Sequence, residues 1–94
     1  MKVKELLSDE SKWTKGFHAR KADGSATSVE SKEAVSFCLV GAVLRCYPIG
    51  YPIALKVIRK GIRRMKLRCS VYDWNDRKKR TFADVKNLVE ELDI

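Results

Sequence analysis

The segment that most restricts the fold is AVSFCLVGAVLRC, Ala34 to Cys46, where only Ser36, Gly41 and Arg45 interrupt the apolar residues. In a chain of 94 residues an element apolar nearly all round belongs in the interior, with the other elements packed about it. The pattern predicts a central helix that starts from a Ser31 N-cap, with Glu33 placing negative charge in the first turn. Gly41 inside that helix costs up to ~1 kcal/mol relative to alanine, so it marks close approach by a neighbouring element. YPIGYP ends the run, because Pro48 and Gly50 stop a helix and Pro52 suits the first turn of the next.

The remaining elements are arranged around this centre. Residues 2–8 form a short helical turn with Val3, Leu6 and Leu7 on its apolar side. Asp23-Gly24 lies between two stretches of mixed alternation, which predicts a small hairpin with limbs near 15–20 and 25–29. A second long helix runs from about Pro52 to Lys66. At 100° per residue its apolar set Ile53, Ala54, Val57, Ile58, Ile62 and Met65 covers one half, and Lys56, Arg59, Lys60, Arg63 and Lys66 the other. SVYDWNDRKKR follows as a strand or extended loop with a turn, its Asn75-Asp76 pair bonding the local backbone. TFADVKNLVEEL is a last helix capped by Thr81 with Asp84 three residues on, its core stripe Phe82, Val85, Leu88, Val89 and Leu92. The fold class is mostly α, formally α+β. The chain reads as one compact three- to four-helix domain over residues 1–94, with a small N-terminal β-hairpin.

Several landmarks carry a resemblance. Trp13 followed by Gly16, the hairpin ARKADG, EAVSFCLVGAVLR and the late WNDRKKRTFADV occur in an order that spans most of the chain. In this order, and in the pairing of A-V-x-F-C-L-x-G-A with W-N-D, the sequence resembles an uncharacterised family of short bacterial and phage proteins. The resemblance implies a domain with this order of elements and assigns no catalytic or binding residue. The strongly basic helix from about Pro52 to Lys66 is not part of that pattern.

Charge is the second constraint. The net charge is +8, and Lys56 to Arg80 holds eleven Lys and Arg against Asp73 and Asp76, whereas the rest of the chain has nine basic and ten acidic residues. An excess confined to one segment suggests a polyanionic partner more than a solubility device, since so many like charges repel one another. The second helix and RKKR, Arg77 to Arg80, supply the candidate surface: Lys56, Arg59, Lys60, Arg63, Lys66, Arg77, Lys78, Lys79 and Arg80. Its outward residues lack Asn, Gln, Ser or Thr, which leaves phosphate contact rather than base reading. The joint at CYPIGYP holds two prolines and exceeds the usual helix-turn-helix turn.

Other chemistry is thin. There is no phosphate-binding glycine loop, no H-E-x-x-H and no G-x-S-x-G. Cys38, Cys46 and Cys69 have neither disulfide-framework nor metal-motif spacing, and reduced thiols fit a cytoplasmic protein. His18 is the only histidine, and its pairing with Cys69 as a nucleophile is an accident of residue types. Asp73 and Asp76 cap turns rather than hold magnesium. Tyr47, Tyr51, Tyr72 and Trp74 either finish the core or stack unpaired bases. No apolar run approaches the ~20 residues of a membrane span, and MKVKELLSDESK is no secretory signal.

The expectation is a non-enzymatic binding protein without cofactor or metal, engaging nucleic acid or a nucleic-acid-handling complex through its basic segment. The alternative is a phage-type inhibitor or adaptor, of the counter-defence or anti-CRISPR kind, that docks an acidic patch on a host protein. No membrane partner is expected, and the oligomeric state is open.

Overall fold

The apolar run divides at Cys38 instead of forming one helix. The computed structural model describes residues 1–94, with the order α1 (Val3–Leu6), a single 3-10 turn (Glu10–Lys12), β1 (Ala19–Lys21), β2 (Ala34–Phe37), α2 (Leu39–Cys46), α3 (Tyr51–Arg64), α4 (Val71–Asp76) and α5 (Phe82–Leu92). The α+β class with three principal helices and a two-stranded antiparallel sheet is as expected. Val35 and Phe37 favour a pleated strand over a helical start, and β2 pairs antiparallel with β1 in the register Ala19–Phe37, Arg20–Ser36 and Lys21–Ala34, bulged between Arg20 and Lys21. Ser31 therefore caps nothing longer than a turn, its hydroxyl accepting from the Glu33 N–H. The N-cap of α2 is Cys38, whose Sγ accepts from the Gly41 N–H at 3.2 Å. Burial pushes this thiol above its ordinary pKa, so it stays a neutral packing group.

Gly41 has the neighbour its position implied. A Cβ there would stand 1.9 Å from the His18 carbonyl oxygen, because the chain entering β1 crosses directly over the first turn of α2. The Asp23-Gly24 turn also forms: Gly24 has φ +89°, and its N–H donates to the Lys21 carbonyl at 2.9 Å. Its returning limb, expected as a strand at 25–29, makes only an isolated bridge between Arg20 and Ala26. That limb is polar and largely exposed with little to bury, whereas β2 brings Phe37 into the core. The strand partner of β1 therefore comes from further along the chain.

Eighteen buried residues form one apolar cluster in which α2, α3, α4 and α5 meet. On α3 the buried positions are Ala54, Ile58, Gly61 and Ile62, the i, i+4, i+7, i+8 stripe of an amphipathic helix. The expected core face was wider. Ile53 is 73% exposed and Met65 43% exposed, since one lies in the first turn of α3 and the other at its C-cap. The contact of α3 with α5 is close, with Leu88 and Leu92 side-chain carbons 3.1 and 3.2 Å from where a Gly61 Cβ would be.

SVYDWND is helical, not extended. The Ser70 hydroxyl accepts from the Asp73 N–H at 3.1 Å, a cap that starts α4. Its inner face presents Val71, Trp74 and Asn75. Asn75 is fully buried and bonds far beyond its own turn. Its Oδ1 accepts from the Trp13 indole N–H (2.7 Å) and the Leu39 N–H (3.0 Å), and its Nδ2 donates to the Thr14 carbonyl (3.2 Å). One side chain thus fastens the N-terminal segment, the start of α2 and α4, where unpaired polar groups would be costly. The helix α5 follows expectation, with the Thr81–Asp84 capping box closed in both directions; the Thr81 N–H and the neighbouring Arg80 hold the Asp84 carboxyl below its usual pKa.

Candidate nucleic-acid interface

The outward side of α3 carries Lys56, Arg59, Lys60, Arg63 and Arg64, all exposed. The helix is closed by a backbone device: Lys66 adopts φ +62°, its N–H donates to the Arg63 carbonyl (2.8 Å), and the Leu67 N–H donates to that of Ile62 (3.4 Å). This is the double closure of a Schellman motif, which normally places glycine at the left-handed position. With lysine there the chain reverses sharply and the segment 67–70 folds back beside the helix end. Between them opens a cleft of about 870 Å³ lined by Arg59, Arg63, Lys66, Leu67, Arg68, Cys69 and Ser70. Four of the seven are cationic and none is acidic.

These cations are unsatisfied within the molecule. The five ion pairs use Lys2, Lys4, Lys21, Arg80 and Lys86. No acidic group neutralises Lys56, Arg59, Lys60, Arg63, Arg64, Lys66 or Arg68.

The second basic cluster separates into parts. Arg77, Lys78 and Lys79 are exposed, on a turn held by the Lys15 ammonium, which donates to the Arg77 carbonyl at 2.6 Å. None of them lines the cleft. Arg80 has turned inward: its side chain is 15% exposed, its Nε donates to the Trp74 carbonyl at 2.8 Å, and its guanidinium lies 4.0 Å above the Trp74 ring. It covers a buried indole as a cation–π lid and pairs with Asp84 at 3.6 Å. Sequence reasoning omitted Arg68, which the cleft includes; its place in the uninterrupted run LKVIRKGIRRMKLR was the available signal.

A second, smaller concavity of about 250 Å³ lies between the approach to β1 and α4, lined by Gly16, Phe17, His18, Cys38, Tyr72 and Asp76. His18 and Tyr72 stack with ring centroids 5.7 Å apart and planes 28° from parallel, and His18 Nε2 and the Tyr72 hydroxyl share a 3.1 Å hydrogen bond. Asp76 Oδ1 accepts from the Gly16 N–H (3.1 Å) and from Asn75 Nδ2 (2.8 Å). Cys69 lines the other cleft, so His18 and Cys69 do not share a concavity. Of the four aromatics considered for stacking, Trp74 is buried, the Tyr47 hydroxyl donates to the Ile94 carbonyl at 2.9 Å, and Tyr51 and Tyr72 are exposed. No helix is long and apolar enough to cross a membrane.

The model of DUF6197, described as a family of unknown function, matches residues 1–92, in keeping with the resemblance drawn from the motifs. No curated protein and no solved structure matches the chain.

Proposed function

The chain belongs to DUF6197, a family of unknown function, and from its surface we propose that it is a non-enzymatic binding protein that grips the phosphate backbone of nucleic acid. The observation that supports this is the cleft of Arg59, Arg63, Lys66 and Arg68, four cations around a concavity with no internal counter-charge. Lys56 and Lys60 extend it along α3, and Arg77, Lys78 and Lys79 form a separate exposed basic turn. Cations gathered without acids repel one another in the free protein, and a bound polyanion relieves that repulsion while releasing its own counterions. With four to six phosphates neutralised, log K against log salt for duplex DNA should slope at roughly −4 to −5.

The test is titration of labelled single- and double-stranded DNA and RNA between about 50 and 300 mM salt, with Arg59→Glu/Arg63→Glu beside the native chain. The expected result is a steep log-linear loss of affinity, flattened by about one unit for each phosphate contact removed. Absence of binding at the lowest salt would refute the proposal.

A second reading has its own observation. Ile49 (92% exposed) and Ile53 (73% exposed) project from the α2–α3 junction beside the basic face. An apolar tip next to cations also suits docking to an acidic protein surface, as an inhibitor or adaptor would. Stable 1:1 association with one protein at physiological salt, without nucleic acid, would favour it.

A further inference from the structure

Resting on the phosphate-contact reading, we propose that the concavity beside Tyr72 receives an unpaired base, so that the preferred ligand is single-stranded nucleic acid. Phe17 and Tyr72 are large aromatic side chains left 51% and 49% exposed that both line one small hollow, and His18 stands stacked against Tyr72. Arg20 lies 4.6 Å from the Phe17 ring and is fixed by three further bonds, to Thr14, Gly24 and Lys15. Hydrogen bonding and ring contact thus fix His18, Tyr72 and Phe17 before any ligand arrives, which lowers the ordering cost of a stack. A volume of about 250 Å³ falls below the range of about 300–1,000 Å³ for drug-sized ligands and suits one flat ring system.

The charge of the hollow also selects the base over the phosphate. Its one ionic group is the Asp76 carboxylate, which would repel a phosphate. Asp76 Oδ1 is engaged by Gly16 and Asn75, while Oδ2 makes no hydrogen bond within the protein and can accept from a base N–H. In a duplex those edges are paired and the faces stacked; in a single strand they are free. The position relative to the cations is equally apt. Tyr72 lines the hollow and is two residues beyond Ser70, which lines the cationic cleft, so both concavities draw on the start of α4 and the proposal places one strand across the two.

The experiment compares native protein, Tyr72→Ala and Arg59→Glu/Arg63→Glu on one oligonucleotide offered as a single strand and as its duplex. It also follows the ring-proton signals of His18, the only histidine, by NMR. The expected result is tighter single-strand binding, a loss of roughly 5- to 100-fold for Tyr72→Ala on the single strand with the duplex unchanged, and upfield His18 shifts from the single strand alone. Salt-dependent binding with equal single-strand and duplex affinity, indifferent to Tyr72→Ala, would overturn this inference and leave the phosphate reading standing. If neither form binds at the lowest salt, both fall.

Discussion

Replacing Gly41 with alanine tests the tightest contact in the fold. The added Cβ would lie 1.9 Å from the His18 carbonyl oxygen, 2.7 Å from its carbon and 3.0 Å from its Cα, all backbone atoms that no rotamer change can move. To restore a permissible separation the chain before β1 must retreat by about 1 Å, an overpacking strain of ~1–3 kcal/mol. The same carbonyl accepts the Cys38 N–H at 3.2 Å, so retreat also loosens the hydrogen bond at the start of α2, worth ~1 kcal/mol. Better helix propensity returns up to ~1 kcal/mol. A net loss of about 1–3 kcal/mol is expected, or a fall in Tm of roughly 4–24 °C for a domain of this size. Urea and thermal unfolding followed by circular dichroism measure it, and Gly61→Ala is the control. There the neighbours are the ends of Leu88 and Leu92, which can rotate, so the change should stay within about 1 kcal/mol of native. If Gly41→Ala is as mild as its control, the crossing of the β1 approach over α2 is wrongly placed.

Lys66→Gly should raise stability by about 0.5–1 kcal/mol, because relief of a left-handed side chain outweighs the added chain entropy. It should also flatten the salt dependence of nucleic-acid binding by about one unit; a variant neither more stable nor altered in salt slope would contradict the strain and the contact together. Asn75→Ala orphans the buried Leu39 N–H and the Trp13 indole N–H, at about 1–3 kcal/mol for each group left without a partner. Chemical denaturation should show a loss of at least about 2 kcal/mol, and one below about 1 kcal/mol would mean that water replaces the amide. Asp93, bonded by the ammonium groups of Lys4 and Lys2, has its pKa lowered from 3.8 to about 2. A depressed carboxylate contributes stability fully above its unfolded pKa and loses it as pH falls through the folded value. The Tm difference between native protein and Asp93→Asn should therefore be constant from pH 7 to about pH 5 and shrink between about pH 4 and pH 2; a difference unchanged down to pH 2 would show that the pairing does not act in solution.

The amphipathic elements were legible because their signals are local. Thr81 with Asp84 and the stripe of α5 needed no tertiary knowledge, and neither did the two-sidedness of α3 or the Asp23-Gly24 turn. Ser70 with Asp73 is the same kind of start signal as Thr81 with Asp84, but the stretch after it is expected as a strand or extended loop, so α4 is missed. The misplaced boundary at Cys38 has a different origin. A continuous apolar run fits a buried helix and a buried strand equally well, and only its pairing with Ala19–Lys21, fixed by tertiary packing, decides between them. The cations of the α3 face were legible from composition and period. The cleft was not, because it depends on a lysine holding a left-handed backbone, and no sequence period records that. Arg80 shows the converse: a charge inside a basic run is spent on covering Trp74, a contact that spacing alone does not reveal.

The bonds made by Asn75 have a consequence for synthesis. The donors and acceptor it satisfies belong to Trp13, Thr14 and Leu39, 62, 61 and 36 residues earlier in the chain. As the polypeptide leaves the ribosome, the sheet and α2 emerge with their partners still inside the exit channel. The nascent chain must carry those open polar positions until α4 is released. A truncated product ending before residue 75 would lack both this fastening and the buried Val85, Leu88 and Val89 of α5.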